Sequence, residues 1–471
     1  MPTLVMKFGG TSVGMTTGLT QLLSIVLYEH ERWERLLLVV SALEGVTDGL
    51  LEAARLAQLG NRRGYRRIVG TLRTRHLALI EHLPLGGNER AALQADIDRL
   101  LFDMLDTCQA LADSETQQTR PEAIDAIIGV GERLAARIVA ALLRQNGLRG
   151  VAIDATDIVV TDNVYGNATP NLPLTRERIA DMLSPMLERK ILPVITGFIG
   201  ATIAGKPTTL GRGGSDYTAS ILAACTDAQE VWIWTDVDGM MTADPSDVDN
   251  ARVIPQLSYN ESAELAYFGA RLLHARMIAP LQERRIPLRV RNVFKPQSTG
   301  TTIAELVEHT PKLKAVTLIN GLGMFAAHSG ALHGVMDLVD ETLFEVAGTH
   351  AEVVFTAQSS WQGFLGFVIP TSAGPDALHS LEIALEKHAQ NAEPRLTGWN
   401  FHPVTILTVI GARMNEARRA IADVLVALDG LQILALSQSP SNASFSVVLE
   451  TAAAEDALYR VHNLISGAAN T

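Results

Sequence analysis

Three short glycine-bearing phrases carry the charged side chains best suited to chemistry in this chain. Lys7-Phe8-Gly9-Gly10-Thr11-Ser12 closes an apolar run, and its paired glycines let backbone N–H groups come close to an anion. Lys7 then falls at the C-terminal edge of a strand, a rare place for a charge without a partner. A lysine reaching solvent beside a tight turn is the plainer alternative. Gly211-Arg212-Gly213-Gly214-Ser215-Asp216 is more informative. Its glycines allow the backbone to wrap a small ligand, and Arg212 offers a planar fork for a carboxylate or phosphate. Ser215 and Asp216 open a helix expected over Tyr217–Cys225, whose N-terminus favours negative charge. Simple N-capping would explain Ser215 but not the glycines together with Arg212.

Two further acidic places are less telling. Thr235-Asp236-Val237-Asp238-Gly239 puts two carboxylates in a turn after a strand, which ordinary Asp-Gly turn chemistry also explains. Glu132, in the apolar helix Ala123–Leu143, follows Gly131 and precedes Arg133, and a simple surface acid is one reading of it. Gly200–Lys206 spells the beginning of a P-loop, yet Pro207 follows and supplies neither a hydroxyl for Mg²⁺ nor an N–H for phosphate. A turn between two short strands is expected there instead.

The elements that must position these phrases alternate as in an α/β fold. Strands are predicted at Thr3–Phe8, Leu36–Val40, Val151–Ile153, Leu192–Phe198, Glu230–Thr235 and Pro287–Arg291. Helices are predicted at about Gly18–Trp33, through most of Asp48–Ser114 with a basic loop at Arg62–Arg67, and over Pro121–Asn146. Strands separated by helices predict a largely parallel sheet, with ligands beyond the strands' C-terminal ends. From about Lys312 the texture changes. Lys314–His388 and His402–Ile465 each run strand, helix, strand, strand, helix. They share the phrases Gln358-Ser359-Ser360 and Gln438-Ser439-Pro440-Ser441, so a duplicated small α+β module is expected, with 391–400 as the link.

The chain has 471 residues, too many for one core. Its net charge of −12 argues against attachment to nucleic acid by general phosphate attraction. Hydrophobic residues make up 47% and charged ones 19%, which suits a buried globular protein and not a disordered one. Cys108 and Cys225 are too few for a disulfide framework or a four-ligand zinc site, and are expected as core thiols. No basic and apolar leader follows Met1, and no apolar run reaches the ~18 residues of a membrane span. A soluble, cytoplasmic, multidomain protein is expected.

Taken in order, Lys7–Ser12, Ser41 through Thr47, Gly131-Glu132, Gly197-Phe198, Thr209–Asp216, Thr235–Gly239 and Phe268–His274 resemble the aspartokinases of the amino acid kinase family. The tail looks like the paired ACT modules of the same enzymes. The resemblance implies an amino acid kinase-like three-layer sandwich with a mainly parallel central sheet over 1–305. Two ferredoxin-like α+β ACT modules would follow at 314–390 and 401–471, the last strand or helix returning to the first. It also implies phosphoryl transfer from ATP, with Mg²⁺, to the side-chain carboxylate of L-aspartate. Lys7 and Asp216 would be catalytic, and Lys7, Gly9 and Gly10 would hold the phosphates. Ser41, Thr47, Glu132, Phe198, Arg212 and Ser215 would bind aspartate. Thr235, Asp236, Met241 and Arg271 would contact the nucleotide, with no protein metal cluster.

The residue chemistry agrees with this. A carboxylate nucleophile is already ionised at neutral pH and needs no general base, whereas the meeting of two anions needs cancelled charge. Three positions depart from the family: Met241 stands for a tyrosine, Ser246 for an arginine and Arg271 for a lysine. Gln358 and Gln438 fall where threonine-sensitive relatives carry effector-binding glutamines, so a threonine or lysine effector and a homodimer or higher homo-oligomer are expected. Another amino acid kinase, or a non-catalytic amino-acid sensor, are the competing readings.

Overall fold

The computed structural model describes residues 2–113, 120–269, 272–306, 310, 312–326, 337–342, 352–358, 363–368, 379–381, 383–384, 386–387 and 399–467. They form two compact units: Met1–Met240 with Val253–Tyr259 and Leu272–Leu306, and Met241–Arg252 with Asn260–Arg271 and Val307–Thr471.

In the first unit the strands are β1 (Thr3–Phe8), β2 (Arg35–Val40), β3 (Gly150–Ile153), β4 (Val160–Thr161), β5 (Leu192–Thr196), β6 (Ile199–Thr202), β7 (Pro207–Thr209), β8 (Glu230–Thr235), β9 (Gln256–Ser258), β10 (Leu288–Asn292) and β11 (Thr301–Ala304). Eight of them make a sheet of order β3-β5-β2-β1-β8-β10-β11-β9, parallel except where β10 meets β11. Side chains alternate between its faces. Leu4, Met6 and Phe8 of β1 and Leu36, Leu38 and Val40 of β2 therefore join one apolar cluster with the helices Thr16–His30, Val46–Gln58 and Val130–Gln145. That alternation sends Lys7 to the opposite face, which the helix Gly214–Thr226 covers. Burial on both faces is why these strands read as near-continuous apolar runs.

Most predicted elements are present within about three residues, and three readings need correction. Arg62–Arg67 is the first turn of a helix, Arg62–Glu81, and not a loop. Asn61 caps it, its side chain accepting from the Gly64 N–H at 2.9 Å. The helix expected over Pro121–Asn146 is two helices, Pro121–Ile128 and Val130–Gln145, separated at Gly129. A Cβ at Gly129 would stand 2.8 Å from Ile199 Cγ2, so glycine lets the chain turn against β6. The fourth expected strand ends at Thr196, because Phe198 takes a left-handed φ of 68°. The P-loop-like phrase is the turn between β6 and β7, which pair antiparallel in a small sheet with β4.

The second unit carries the duplication. β12 (Lys312–Ala326), β13 (Glu352–Gln358) and β14 (Gly363–Val368) are matched by β15 (Trp399–Ala412), β16 (Ile433–Gln438) and β17 (Ser444–Glu450). They form one antiparallel sheet of order β13-β14-β12-β15-β17-β16, whose halves meet along β12 and β15. Residues 337–342 and most of 379–387 are helical, as are Arg418–Ala427 and Ala454–Gly467, giving each half the expected strand, helix, strand, strand, helix order. The helix Ala454–Gly467 packs against β12 of the first half, through Leu458, Val461 and Ile465 in a cluster with Val316. Residues 391–398 of the expected link lie outside the described residues. Among the described residues, no helix is long and apolar enough to cross a membrane.

Candidate active site

Parallel pairing brings the C-terminal ends of β1, β2, β5 and β8 to one edge of the sheet. Backbone bonds fix their order there: Ser41 N–H donates to Phe8 O, Gly197 N–H to Val40 O, and Gly9 N–H to Trp234 O. Beyond this edge lies a cavity of about 420 Å³ lined by Lys7, Ser41, Ala42, Thr47, Glu132, Phe198, and the whole run Gly211–Asp216. Segments more than 200 residues apart in sequence thus share one cavity, at the place where ligands gather in open α/β sheets.

The charges in it are arranged in opposed groups. Lys7 Nζ lies 2.6 Å from Asp216 Oδ1, each side chain about 11% exposed. The helix bearing Asp216 starts at Gly214, with Gly213 at its N-cap position, whose φ of 68° suits glycine, and not at Ser215. Ser215 therefore sits inside the first helical turn and lines the cavity instead of capping. The first intrahelical bond there runs from Tyr217 N–H to Gly213 O, so the Ser215 and Asp216 amides precede the ladder and are available to an anion. Arg212 stands exposed at the rim.

Glu132 is no surface acid. It is 3% exposed, its Oε1 accepts from the Ala42 N–H at 3.1 Å, and its buried Oε2 has no hydrogen-bond partner among the described residues. Burial pushes its carboxyl up to about 8, against the opposing pull of the Ala42 and Glu132 backbone N–H groups and the Lys7 charge. A buried acid held beside an open cavity with one unsatisfied oxygen is suited to receive a cationic group. Gly131 permits this closeness, since a Cβ there would be 2.7 Å from Ala42 Cβ.

Residues 2–292 match the amino acid kinase family. This chain belongs to that family. Over 98% of its length it is 28% identical to lysine-sensitive aspartokinase 3 of Escherichia coli, covering 98% of that protein. It is also 28% identical to bifunctional aspartokinase/homoserine dehydrogenase 2 of Arabidopsis thaliana. The chain spans about half the length of that bifunctional relative. The crystal structure of E. coli aspartokinase III in complex with aspartate and ADP superposes with a TM-score of 0.79 at 27% identity, over 98% of this chain and 99% of that one.

Within this amino acid kinase the expected nucleotide side is only partly assembled from described residues. Thr235 ends β8 and its hydroxyl donates to Asp236 Oδ1 at 3.1 Å. Asp236 is exposed. Gly9 and Gly10 follow β1 directly; a Cβ on Gly9 would lie 3.8 Å from Lys7 Nζ, and one on Gly10 would be 2.9 Å from Ala42 O. Glycine thus leaves the Lys7 ammonium open on that side. Met241 and Ser246 belong to the second compact unit, where Ser246 N and Oγ both donate to Asp244 Oδ1. Arg271 lies outside the described residues. Among the described residues no group of three or more His, Cys, Asp or Glu could hold a metal ion.

Gln438 ends β16 and donates to Met414 O at 2.9 Å and Asn415 Oδ1 at 2.8 Å. Gln358 ends β13. Residues 359–362 beside it lie outside the described residues.

Sequence reasoning overlooked three buried or clamping groups around this site. Asp125 is 3% exposed and bonds Thr209 and Gly166. Asn292, 4% exposed, donates to Asp236 O at 3.0 Å and Asp238 Oδ1 at 2.6 Å, and its own Oδ1 accepts from Phe294 N–H at 2.8 Å. It ties the turn after β8 to the one after β10. Arg276 donates to Leu210 O at 3.0 Å, Ala168 O at 3.1 Å and Asn167 Oδ1, and lies over the Tyr217 ring. A polar residue at a strand end or inside a helix turn gave no sign of these long-range partners.

Proposed function

We propose that this protein transfers the γ-phosphoryl group of ATP to the side-chain carboxylate of L-aspartate, giving ADP and 4-phospho-L-aspartate. The observation that carries the reading is the convergence of Lys7, Asp216, Arg212 and Glu132 on one cavity large enough for a small amino acid. Its support among relatives is the aspartokinase name of the E. coli protein and the aspartate and ADP bound to the superposed structure.

Each charged group then has a task. Glu132 receives the substrate's α-ammonium through its unsatisfied oxygen. Arg212, with the amides of the helix beginning at Gly214, takes the α-carboxylate. That leaves the side-chain carboxylate directed at Lys7. One of its oxygens forms a bond to the γ-phosphorus as the bond from that phosphorus to the bridging oxygen breaks, the electron pair leaving with ADP. No proton need be removed, because the nucleophile is already an anion. Lys7 and the Gly10 N–H cancel charge on the transferring group, the Gly9 N–H being engaged by Trp234 O, and Asp216 holds Lys7 in place. Asp236 at the end of β8 offers a hard oxygen of the kind Mg²⁺ takes together with phosphate oxygens. When bound, that ion would neutralise further phosphate charge.

In this reading 1–305 is the catalytic domain and 314–390 and 401–471 are ACT modules that sense an amino acid. The E. coli relative is named lysine-sensitive, whereas Gln358 and Gln438 favour threonine. The Gln438 amide nitrogen is already engaged by Met414 and Asn415, a plain structural use. A cytoplasmic homodimer or larger assembly goes with this reading. The test is a hydroxamate-trapping assay with ATP, Mg²⁺ and L-aspartate, repeated with lysine and threonine. Signal that depends on both ATP and aspartate supports the assignment. Phosphorylation of glutamate or N-acetylglutamate in its place overturns it.

A further inference from the structure

Aspartate recognition, as proposed above, depends on two walls standing at a fixed separation: the Glu132 helix on one side and the Arg212–Asp216 run on the other. The Lys7–Asp216 pair and Phe198 hold one wall from within the cavity, and a residue outside the cavity bears on the separation of the two walls as well. Asp125 lies seven residues before Glu132, in the helix Pro121–Ile128, and does not line the cavity. Its Oδ2 accepts from Thr209 N–H at 2.8 Å and Gly166 N–H at 2.9 Å, and its Oδ1 accepts from Thr209 Oγ1 at 3.0 Å. Thr209 is the last residue of β7, one residue before the loop that carries Arg212. Leu210 N–H then donates to Phe198 O, and Gly214 N–H to Gly211 O, so the position of Thr209 is passed along the loop by backbone bonds.

The strap 166–168 shares the same anchorage. Gly166 is held by Asp125, and Ala168 N–H donates to Thr209 O at 2.9 Å. Arg276 grips the strap and loop together through Ala168 O and Leu210 O. Asp125 takes donors that the same segments present. A buried acid of this kind is costly unless its oxygens are satisfied, and here three donors satisfy it.

We propose that Asp125 is a positioning residue for substrate binding: it fixes the Thr209–Gly214 loop against the Glu132 helix and so sets the span between the groups that take the substrate's carboxylate and ammonium. This rests on the aspartokinase reading of the cavity. The geometry makes a sharp demand on substitutions. Asparagine at this place keeps an oxygen for the two amides and turns its NH₂ toward Thr209 Oγ1, which can accept in place of donating. Alanine keeps none of the three bonds. The net charge of Asp125 is therefore dispensable and its shape is not.

The experiment compares Asp125→Ala and Asp125→Asn with the unaltered protein, by hydroxamate kinetics in each substrate and by hydrogen exchange of the substrate-free chains. Asp125→Ala is expected to raise the KM for L-aspartate at least about tenfold while the KM for ATP stays within about twofold, and Asp125→Asn to stay within about threefold for both. Amides of 209–216 are expected to exchange faster in Asp125→Ala and unchanged in Asp125→Asn. Should Asp125→Ala fail to fold, Thr209→Val removes one of the three bonds and is expected to raise the aspartate KM about threefold with the ATP KM unmoved. Equal losses for both substrates, an asparagine variant as poor as alanine, or unchanged exchange over 209–216 overturns the proposal. If the unaltered protein gives no aspartate-dependent signal, the functional reading fails, and the exchange data still decide whether Asp125 holds the loop.

Discussion

Lys7 Nζ, at the end of the first strand, meets Asp216 Oδ1, in the first turn of a helix more than 200 residues later, at 2.6 Å. Both residues line the cavity shared with Glu132 and Arg212. An ion pair kept about one-tenth exposed holds the ammonium steady in one place, where a solvated lysine would wander.

From this relationship Lys7→Ala is expected to lower kcat by at least about a thousandfold, since it deletes the charge that faces the transferring group. Lys206→Ala is expected to leave kcat within about twofold, because the turn between β6 and β7 lacks P-loop geometry. Hydroxamate kinetics check both, and similar mild losses in the two variants would move the phosphate site elsewhere.

Glu132 predicts a pH dependence of a definite sign. Its carboxyl titrates at about 8 in the substrate-free fold, against 4.5 as its ordinary value. Below pH 8 the free protein holds a proton there that must leave before an ammonium can be received. The kcat/KM for L-aspartate is therefore expected to rise with pH up to about 8 and then level, and Glu132→Gln is expected to lose that limb together with most activity.

The same shift bears on stability. Between pH 4.5 and 8 the unfolded chain has released this proton and the folded chain keeps it, so the contribution of Glu132 to stability falls as pH rises through that window. Glu132→Gln should match the unaltered protein in Tm near pH 4.5 and exceed it increasingly toward pH 8. A difference in Tm that does not change with pH would show that the carboxyl is not held protonated.

Arg212→Lys keeps the charge but not the planar fork. The KM for aspartate is expected to rise about tenfold and the KM for ATP to stay within about twofold. Isothermal titration with each ligand separates the two effects.

Gly213→Ala tests the loop itself. At φ 68° with a new Cβ 2.4 Å from His274 Cβ, alanine must both adopt left-handed backbone and displace its neighbour. A loss of about 1–3 kcal/mol is expected. It should appear as a lower Tm together with a fall in kcat/KM, measured by calorimetry and kinetics on one preparation.

The sequence by itself determined the strands and which phrases would end them. Burial on both faces writes β1, β2 and β8 as apolar runs, and glycines placed after them need no partner to announce a turn. It also carried the ordered motifs of the aspartokinases and the strand–helix rhythm of the duplicated tail. Local signals misled where a neighbour far along the chain decided the outcome. Arg62–Arg67 read as a loop because its charges are conspicuous and the single Asn61 cap is not. Glu132 read as a surface acid because its burial comes from Ala42 and the cavity wall, ninety residues away.

Only the tertiary structure decided that Lys7 and Arg212 share one cavity, and that Asp125, Asn292 and Arg276 hold the loops around it. The reason is physical. Secondary structure follows from contacts a few residues long, but a hydrogen bond from Asp125 to Thr209 spans 84 residues and has no periodicity to betray it. Such bonds exist because the parallel sheet returns each strand end to the same edge. There a buried polar group must find its partner in whichever loop the topology brings beside it.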